Sequence, residues 1–272
     1  MQFVKMHGAQ NDFVFVDTTN QSVPDDPAEL ARAVCDRHAG IGADGLVLIG
    51  PSDTADARMR MWNADGSAAQ MCGNALRCVI RHLHDQQRID SSAAIETGHG
   101  VLVGSMDDAA GRVRVEMGRP VLQAKDIPTK LAGDPPLNHK LNIGERSFEV
   151  CSVSMGNPHC VVFNAELTDA VVRKYGPRLE TCASFPERTN VEFVAIQSPE
   201  QVRVRIWERG SGETKACGTG ACAVVVAGVL TNRLNRVCRV QLPGGVLDVD
   251  WTAESVFVTG PTCRVFTGIW PA

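Results

Sequence analysis

The sequence predicts an α+β chain built twice over, with short, mostly antiparallel strands wrapped around an apolar helix. Three observations lead there. Alternating apolar and polar runs separated by turn-length gaps dominate the chain. The helix-like run after Gly220 is apolar on every face, so it needs a sheet around it. A segment in the first half returns 145 positions later with its order of strand, turn, Cys-Gly pair and helix intact.

The strand runs are Phe13–Val16, Leu46–Ile49, Arg112–Val115, Val191–Ile196 and Val202–Trp207. In the last of these, Val202, Val204 and Ile206 face a core while Arg203 and Arg205 face water. Pro243-Gly244-Gly245 reads as a hairpin turn, and so does Gly98-His99-Gly100 between Ile95 and Leu102. Turn-length gaps make most connections antiparallel. Helices are few: Pro27–His38 and Asn74–Gln86 are amphipathic, and the third is the apolar run. Gly118-Arg119-Pro120 marks a boundary between halves, and Gly260-Pro261 opens a final short strand.

The repeat sets Met71-Cys72-Gly73-Asn74 beside Ala216-Cys217-Gly218-Thr219, and Arg58, Arg60 and Trp62 beside Arg203, Arg205 and Trp207. Six identities fall in the 23 positions from Arg58 to Ile80, and the matching element order makes duplication the favoured explanation. Gln10-Asn11 before Phe13–Val16 has a counterpart in Gly156-Asn157 before Cys160–Phe163.

Composition narrows the class. With 272 residues, 44% hydrophobic and 21% charged, the chain is of ordinary globular make-up and long enough for two cores. A net charge of −4 argues against nucleic acid or an anionic membrane as partner. The longest apolar stretch, Ala221–Leu230, is about half of a membrane span, and Met1–Gly8 has no signal-peptide core. The expected location is the cytoplasm. Ten cysteines contain no CxxC, and neither Cys72/Cys78 nor Cys217/Cys222 has a nearby histidine pair, so no metal site is expected. Cys35, Cys151, Cys238 and Cys263 lie among apolar neighbours and read as inert core. The glycines of 210–220 fit no nucleotide-binding pattern, and no lysine suggests a Schiff base; no cofactor is expected.

A cysteine that opens a helix sees the positive end of the dipole and unpaired N–H groups, which lower a thiol pKa and can hold an anion. Gly73 and Gly218 let a ligand approach the backbone. Two such helix starts could hold an amino-acid carboxylate with one thiol on each face of the α-carbon. Asn63-Ala64-Asp65-Gly66 and Glu208-Arg209-Gly210 follow the two RxRxW strands. Asn63 is either a turn former or a ligand contact, whereas the guanidinium of Arg209 suits a second carboxylate. His159 either bonds a thiol or caps a turn.

Taken together, these motifs resemble the diaminopimelate epimerase family nearly end to end. The resemblance rests on Gly8–Phe13, Asn63–Ser67, Met71–Cys78, Gly156–His159, Thr189–Phe193, Trp207–Gly210 and Ala216–Gly220. It implies two pseudo-symmetric domains, each an antiparallel sheet or barrel around a central helix. These would be residues 1–118, with 262–272 returning to them, and 119–261. It implies interconversion of LL- and meso-diaminopimelate, for lysine and peptidoglycan precursors, with Cys72 and Cys217 as catalytic bases. Asn11, Asn63, Gly73, Asn74, Asn157, Asn190, Glu208, Arg209, Gly218 and Thr219 would contact the substrate, and His159 and Glu208 would tune the thiols. A homodimer is usual in the family. Two positions depart from it: Gly45 stands where some members carry Gln, and Phe266 where some carry Tyr.

Proline racemases and hydroxyproline epimerases share the two-thiol plan, but they have His after Cys-Gly where this chain has Asn74. A thiol redox or ligand-binding protein without turnover is the rival from another class.

Overall fold

The computed structural model describes residues 1–107 and 111–271. Contacts between residues divide the chain into two units, Met1–Glu116 with Thr259–Ala272, and Met117–Val258.

The first unit contains β1 (Gln2–Gly8), β2 (Asn11–Asp17), α1 (Pro27–Cys35), β3 (Gly45–Gly50), β4 (Ala57–Asn63), β5 (Ala68–Ala69), α2 (Gly73–Asp85), β6 (Ser92–Thr97), β7 (Gly100–Met106) and β8 (Arg112–Glu116). The last strand of the chain, β17 (Val256–Ile269), pairs with both β1 and β8. The ring β1-β2-β3-β4-β6-β7-β8-β17 is therefore a closed eight-stranded barrel. Closure leaves no strand edge around the central helix α2, which touches β1, β2, β6, β7 and β8. Alternation sorts each strand: Ala57, Met59 and Met61 of β4 point inward, and Arg58 and Arg60 outward. Helix α1 begins with Pro27, and the carboxylate of Asp26 accepts from the N–H groups of Ala28 and Glu29. It buries Leu30, Ala31 and Val34 in a cluster with Val14, Val16, Leu46 and Leu48.

The second unit contains β9 (His139–Ile143), β10 (Arg146–Ser154), β11 (Pro158–Phe163), α3 (Asp169–Glu180), β12 (Asn190–Ser198), β13 (Gln201–Glu208), β14 (Gly212–Thr214), α4 (Gly218–Leu230), β15 (Val237–Leu242) and β16 (Gly245–Trp251). Its strands pair in the order β9-β10-β11-β12-β13-β15-β16 around α4. Every residue from Ala221 to Ala227 is 0% exposed, as a helix apolar on all faces requires.

The repeat is written into strand register. Leu46 faces Trp62 as Val191 faces Trp207, and Met61 faces Ala69 as Ile206 faces Thr214. Ala57 faces Ile95 as Val202 faces Val240, and Ile95 faces Leu102 as Val240 faces Leu247. Each pair differs by the 145 positions that separate Cys72 from Cys217, and so do both ends of α2 and α4.

Most strand pairs are antiparallel, as expected, and the exceptions β2–β3, β4–β6, β11–β12 and β13–β15 are parallel. Each spans a helix, and a helical crossover returns the chain to the same end of the sheet. Helix α3 was not anticipated, and Gly176-Pro177 lies inside it. Gly176 packs under Trp207, where a Cβ would stand 2.7 Å from the ring, and Pro177 is accommodated inside the helix. The final strand is long, Val256–Ile269, and runs through Gly260-Pro261. Pro261 precedes the stretch Thr262–Ile269 that pairs with β1, so its missing N–H costs that ladder nothing. Cys263 is exposed, not core, because it lies in the part of β17 after Pro261, where most residues are open to solvent. Among the described residues, no helix is long and apolar enough to cross a membrane.

Candidate functional site

In the first unit, Asn11 opens β2, Gly45 opens β3 and Asn63 ends β4, so the three lie at one end of the barrel. Helix α2 starts near Asn11, with Cys72 as its N-cap in extended conformation. The sulfur of Cys72 lies 3.6 Å from Asn11 Oδ1, which also accepts from Asn74 Nδ2 at 3.0 Å. Charged partners fix both amides: Asn11 Nδ2 donates to Asp44 Oδ2 at 2.7 Å, and Arg77 donates to Asn74 Oδ1 at 2.6 Å. Asp44 is itself paired with Arg37 at 2.7 Å, and Arg37 also pairs with Asp12. Burial alone would raise the Asp12 carboxyl, but Arg37 and Lys5 outweigh it and bring it down to about 2. Asn63 donates to Ser67 within its own turn, at 2.9 Å. At Gly45 a Cβ would stand 2.6 Å from the Trp62 carbonyl oxygen, so a larger residue there requires a shift of backbone.

The second unit repeats the plan. Asn157 precedes β11, Asn190 opens β12, Glu208 ends β13, and Cys217 is the extended N-cap of α4. Its sulfur accepts from Gly220 N at 3.4 Å and lies 3.3 Å from the hydroxyl of Thr219. Asn157 Nδ2 donates to that hydroxyl at 3.4 Å, while Asn157 Oδ1 lies 3.0 Å from His159 Nε2. The other ring nitrogen of His159 faces Glu192 Oε1 at 2.7 Å. A continuous polar chain thus runs from Glu192 through His159, Asn157 and Thr219 to Cys217. Among the described residues, no hydrogen bond joins His159 to Cys217 directly.

Electrostatics at Cys217 depart from the sequence argument. A helix N-terminus should lower its pKa, yet burial pushes it well above the ordinary thiol value. The Glu208 carboxylate adds to the rise, and the Thr219 hydroxyl and Gly220 N–H only partly offset it. The Glu208 carboxylate is bonded by the Thr214 hydroxyl. Burial likewise pushes Cys35 and Cys78 to about 12 and Cys238 to about 11.

Arg209 sits in the turn after β13. Its N–H donates to Asn190 Oδ1 at 3.0 Å, and Asn190 Nδ2 donates to Pro158 O at 2.9 Å. Gly73 and Gly218 are the first residues of their helices, and Asn74 and Thr219 the second. Asn11 and Asn74 thus stand with Cys72, and Asn157, Thr219 and the charge of Glu208 with Cys217, whereas Asn190 and Arg209 bond to each other and the Asn63 amide bonds within its own turn.

Sequence reasoning gave no role to Asp44, Glu180 or Glu192. Asp44 holds Asn11, Glu180 holds the Arg209 turn, and Glu192 holds His159. Glu192 did leave a signal, as a charged residue between Val191 and Phe193 in an otherwise apolar strand.

Comparison with known proteins agrees with this architecture. The family model described as diaminopimelate epimerase matches residues 3–123 and 151–265. The chain is 54% identical to a diaminopimelate epimerase of Desulforudis audaxviator (strain MP104C), over 99% of both chains. It is 45% identical to one of Desulfitobacterium hafniense (strain DSM 10664 / DCB-2), covering 99% of this chain and 98% of the relative. Among solved structures, a probable proline racemase from Agrobacterium radiobacter K84 shares the fold. Its TM-score is 0.72 at 14% identity, covering 99% of this chain and 92% of that one. A putative phenazine biosynthesis PhzC/PhzF protein from Clostridium difficile (strain 630) matches with TM-score 0.69 at 9% identity, over 100% of both chains. By the matched model and by nearly full-length identity, the chain belongs to the diaminopimelate epimerase family.

Proposed function

We propose that this protein interconverts LL- and meso-2,6-diaminopimelate by moving the α-proton between two cysteines, with no cofactor. The observation that supports this reading is the pair of N-capping thiols, Cys72 and Cys217, at equivalent positions of a register-matched repeat. One cysteine, as thiolate, takes the α-proton and becomes a thiol. The other, as thiol, gives its proton to the opposite face of the carbanion and becomes a thiolate. The reverse reaction exchanges the roles. N–H groups at the starts of α2 and α4, from Gly73, Asn74, Gly218 and Thr219, stabilise the charge that develops on the substrate carboxylate. Arg209 takes the distal carboxylate, and Asn11, Asn63, Asn157 and Asn190 the remaining polar groups. Glu208 raises the Cys217 thiol, and His159 acts on it through Asn157 and Thr219.

The experiment is exchange of the α-hydrogen of LL-diaminopimelate in deuterated water with fully reduced protein. Wild type exchanges and epimerises, while Cys72→Ala and Cys217→Ala each lose epimerisation almost completely. Full activity in either variant rejects the two-base reading. Proline should not turn over, because a site built for a second carboxylate is left unpaired without one. The expected setting is the cytoplasm and the expected assembly a homodimer. Val265, Phe266 and Ile269 near the end of β17 support the latter as exposed apolar side chains, 53%, 45% and 76% accessible.

A further inference from the structure

The turn that carries Arg209 is held from beneath by a buried carboxylate. Glu180, the last residue of α3, is 6% exposed. Its Oε1 accepts from Gly210 N at 2.9 Å, and its Oε2 accepts from the indole Nε1 of Trp207 at 2.8 Å. The two oxygens therefore grip the chain on either side of Arg209. The Arg209 N–H is held separately by Asn190 Oδ1 at 3.0 Å. Trp207 lies against Gly176 of the same helix, closely enough to exclude any Cβ there. Arg188 NH1, 3.6 Å from Oε1, supplies a countercharge.

The first unit handles the equivalent turn differently. There Arg32 of α1 donates to the Asp65 carbonyl at 3.4 Å and packs against Gly66. A helix side chain meets the turn in both units, an arginine in the first and a carboxylate under the turn with Arg209. Burying a carboxylate is costly unless every lone pair is used, and here both oxygens are occupied by donors of one turn. That expense is spent on fixing where the Arg209 side chain leaves the backbone.

We propose that Glu180 is a positioning residue for Arg209. It thereby sets the preference of the enzyme for amino acids with a second carboxylate at the far end. The inference rests on the reading of Arg209 as the partner of that carboxylate.

The test is a double-mutant cycle with Glu180→Gln, Arg209→Ala and the combined variant, assayed with LL-diaminopimelate. Glutamine keeps the shape but turns an NH2 toward one of the two donors. Losing one such buried bond predicts a KM raised about tenfold for Glu180→Gln, with kcat within about threefold of wild type. In the Arg209→Ala background the same change should add no further rise in KM, since the group it positions is gone. Trp207→Phe removes one donor and leaves the carboxylate in place, so it should show the same KM pattern if Glu180→Gln fails to fold. A wild-type KM in Glu180→Gln with an impaired Arg209→Ala overturns this inference alone. Equal losses in both backgrounds overturn it as well, because they mark a general structural role. A wild-type KM in Arg209→Ala removes Arg209 from the site and takes the inference with it.

Discussion

His159 Nδ1 stands 2.7 Å from Glu192 Oε1, and neither side chain has any exposed surface. Complete burial holds the Glu192 carboxyl above its ordinary value, although His159 pulls it back in part. Gly220, in the first turn of α4, lies directly over Glu192 Oε1. Glu192 therefore acts on Cys217 by two routes. One runs along the polar chain through Asn157 and Thr219, and the other is its charge beneath the helix start.

The charge route has a sign. The carboxylates of Glu208 and Glu192 raise the Cys217 thiol, and the Thr219 hydroxyl lowers it. Glu192→Gln should move the pH midpoint of Cys217 alkylation by iodoacetamide downward, and Thr219→Val should move it upward. Mass spectrometry of the Cys217 peptide reads both. A midpoint that stays put in Glu192→Gln would disconnect Glu192 from the thiol.

Gly220 is a packing constraint. A Cβ there would stand 2.9 Å from both Glu192 Oε1 and Ile206 Cδ1. Gly220→Ala should therefore destabilise the second unit by about 1–3 kcal/mol, the usual cost of overfilling a core. Denaturant unfolding followed by tryptophan fluorescence measures this, and a stabilised variant would contradict the geometry.

Acid stability should depend on Asp12. Its folded pKa, about 2, lies below the ordinary 3.8, so its contribution is complete above 3.8 and is lost as pH falls toward 2. Melting temperatures measured from pH 5 to pH 2.5 should fall more steeply in wild type than in Asp12→Asn. The variant should also be less stable at pH 7, because Lys5 and Arg37 lose their shared partner. Parallel curves would assign the acid transition elsewhere.

The exposed apolar end of β17 gives a test of assembly. Phe266→Asp places a charge there while leaving Phe3, its ring neighbour at 5.8 Å, in the core. If this end of β17 joins two copies, sedimentation should show the dimer of wild type weakened in the variant. An unchanged dimer would locate the interface on another surface.

Elements whose signal is local can be read from the residues alone. The apolar run after Gly220 could only be a surrounded helix, and the hairpins at Gly98–Gly100 and Pro243–Gly245 follow from turn chemistry. Both cysteines are N-caps because the Cys-Gly step follows a strand and turn in each copy. The 145-residue offset survives as strand register because duplication conserves spacing along the chain. Which charges meet depends on the folded chain. Asp44 reaches Asn11 from 33 positions away, Glu180 reaches Gly210 from 30, and Glu192 reaches His159 from 33, and no periodicity encodes such distances. The fold also set the thiol: a helix start argues for a low pKa, but Cys217 is buried at the start of α4, and desolvation of the thiolate outweighs the Thr219 hydroxyl and the Gly220 N–H. Burial is a property of the whole surrounding shell, so no short stretch of sequence carries it.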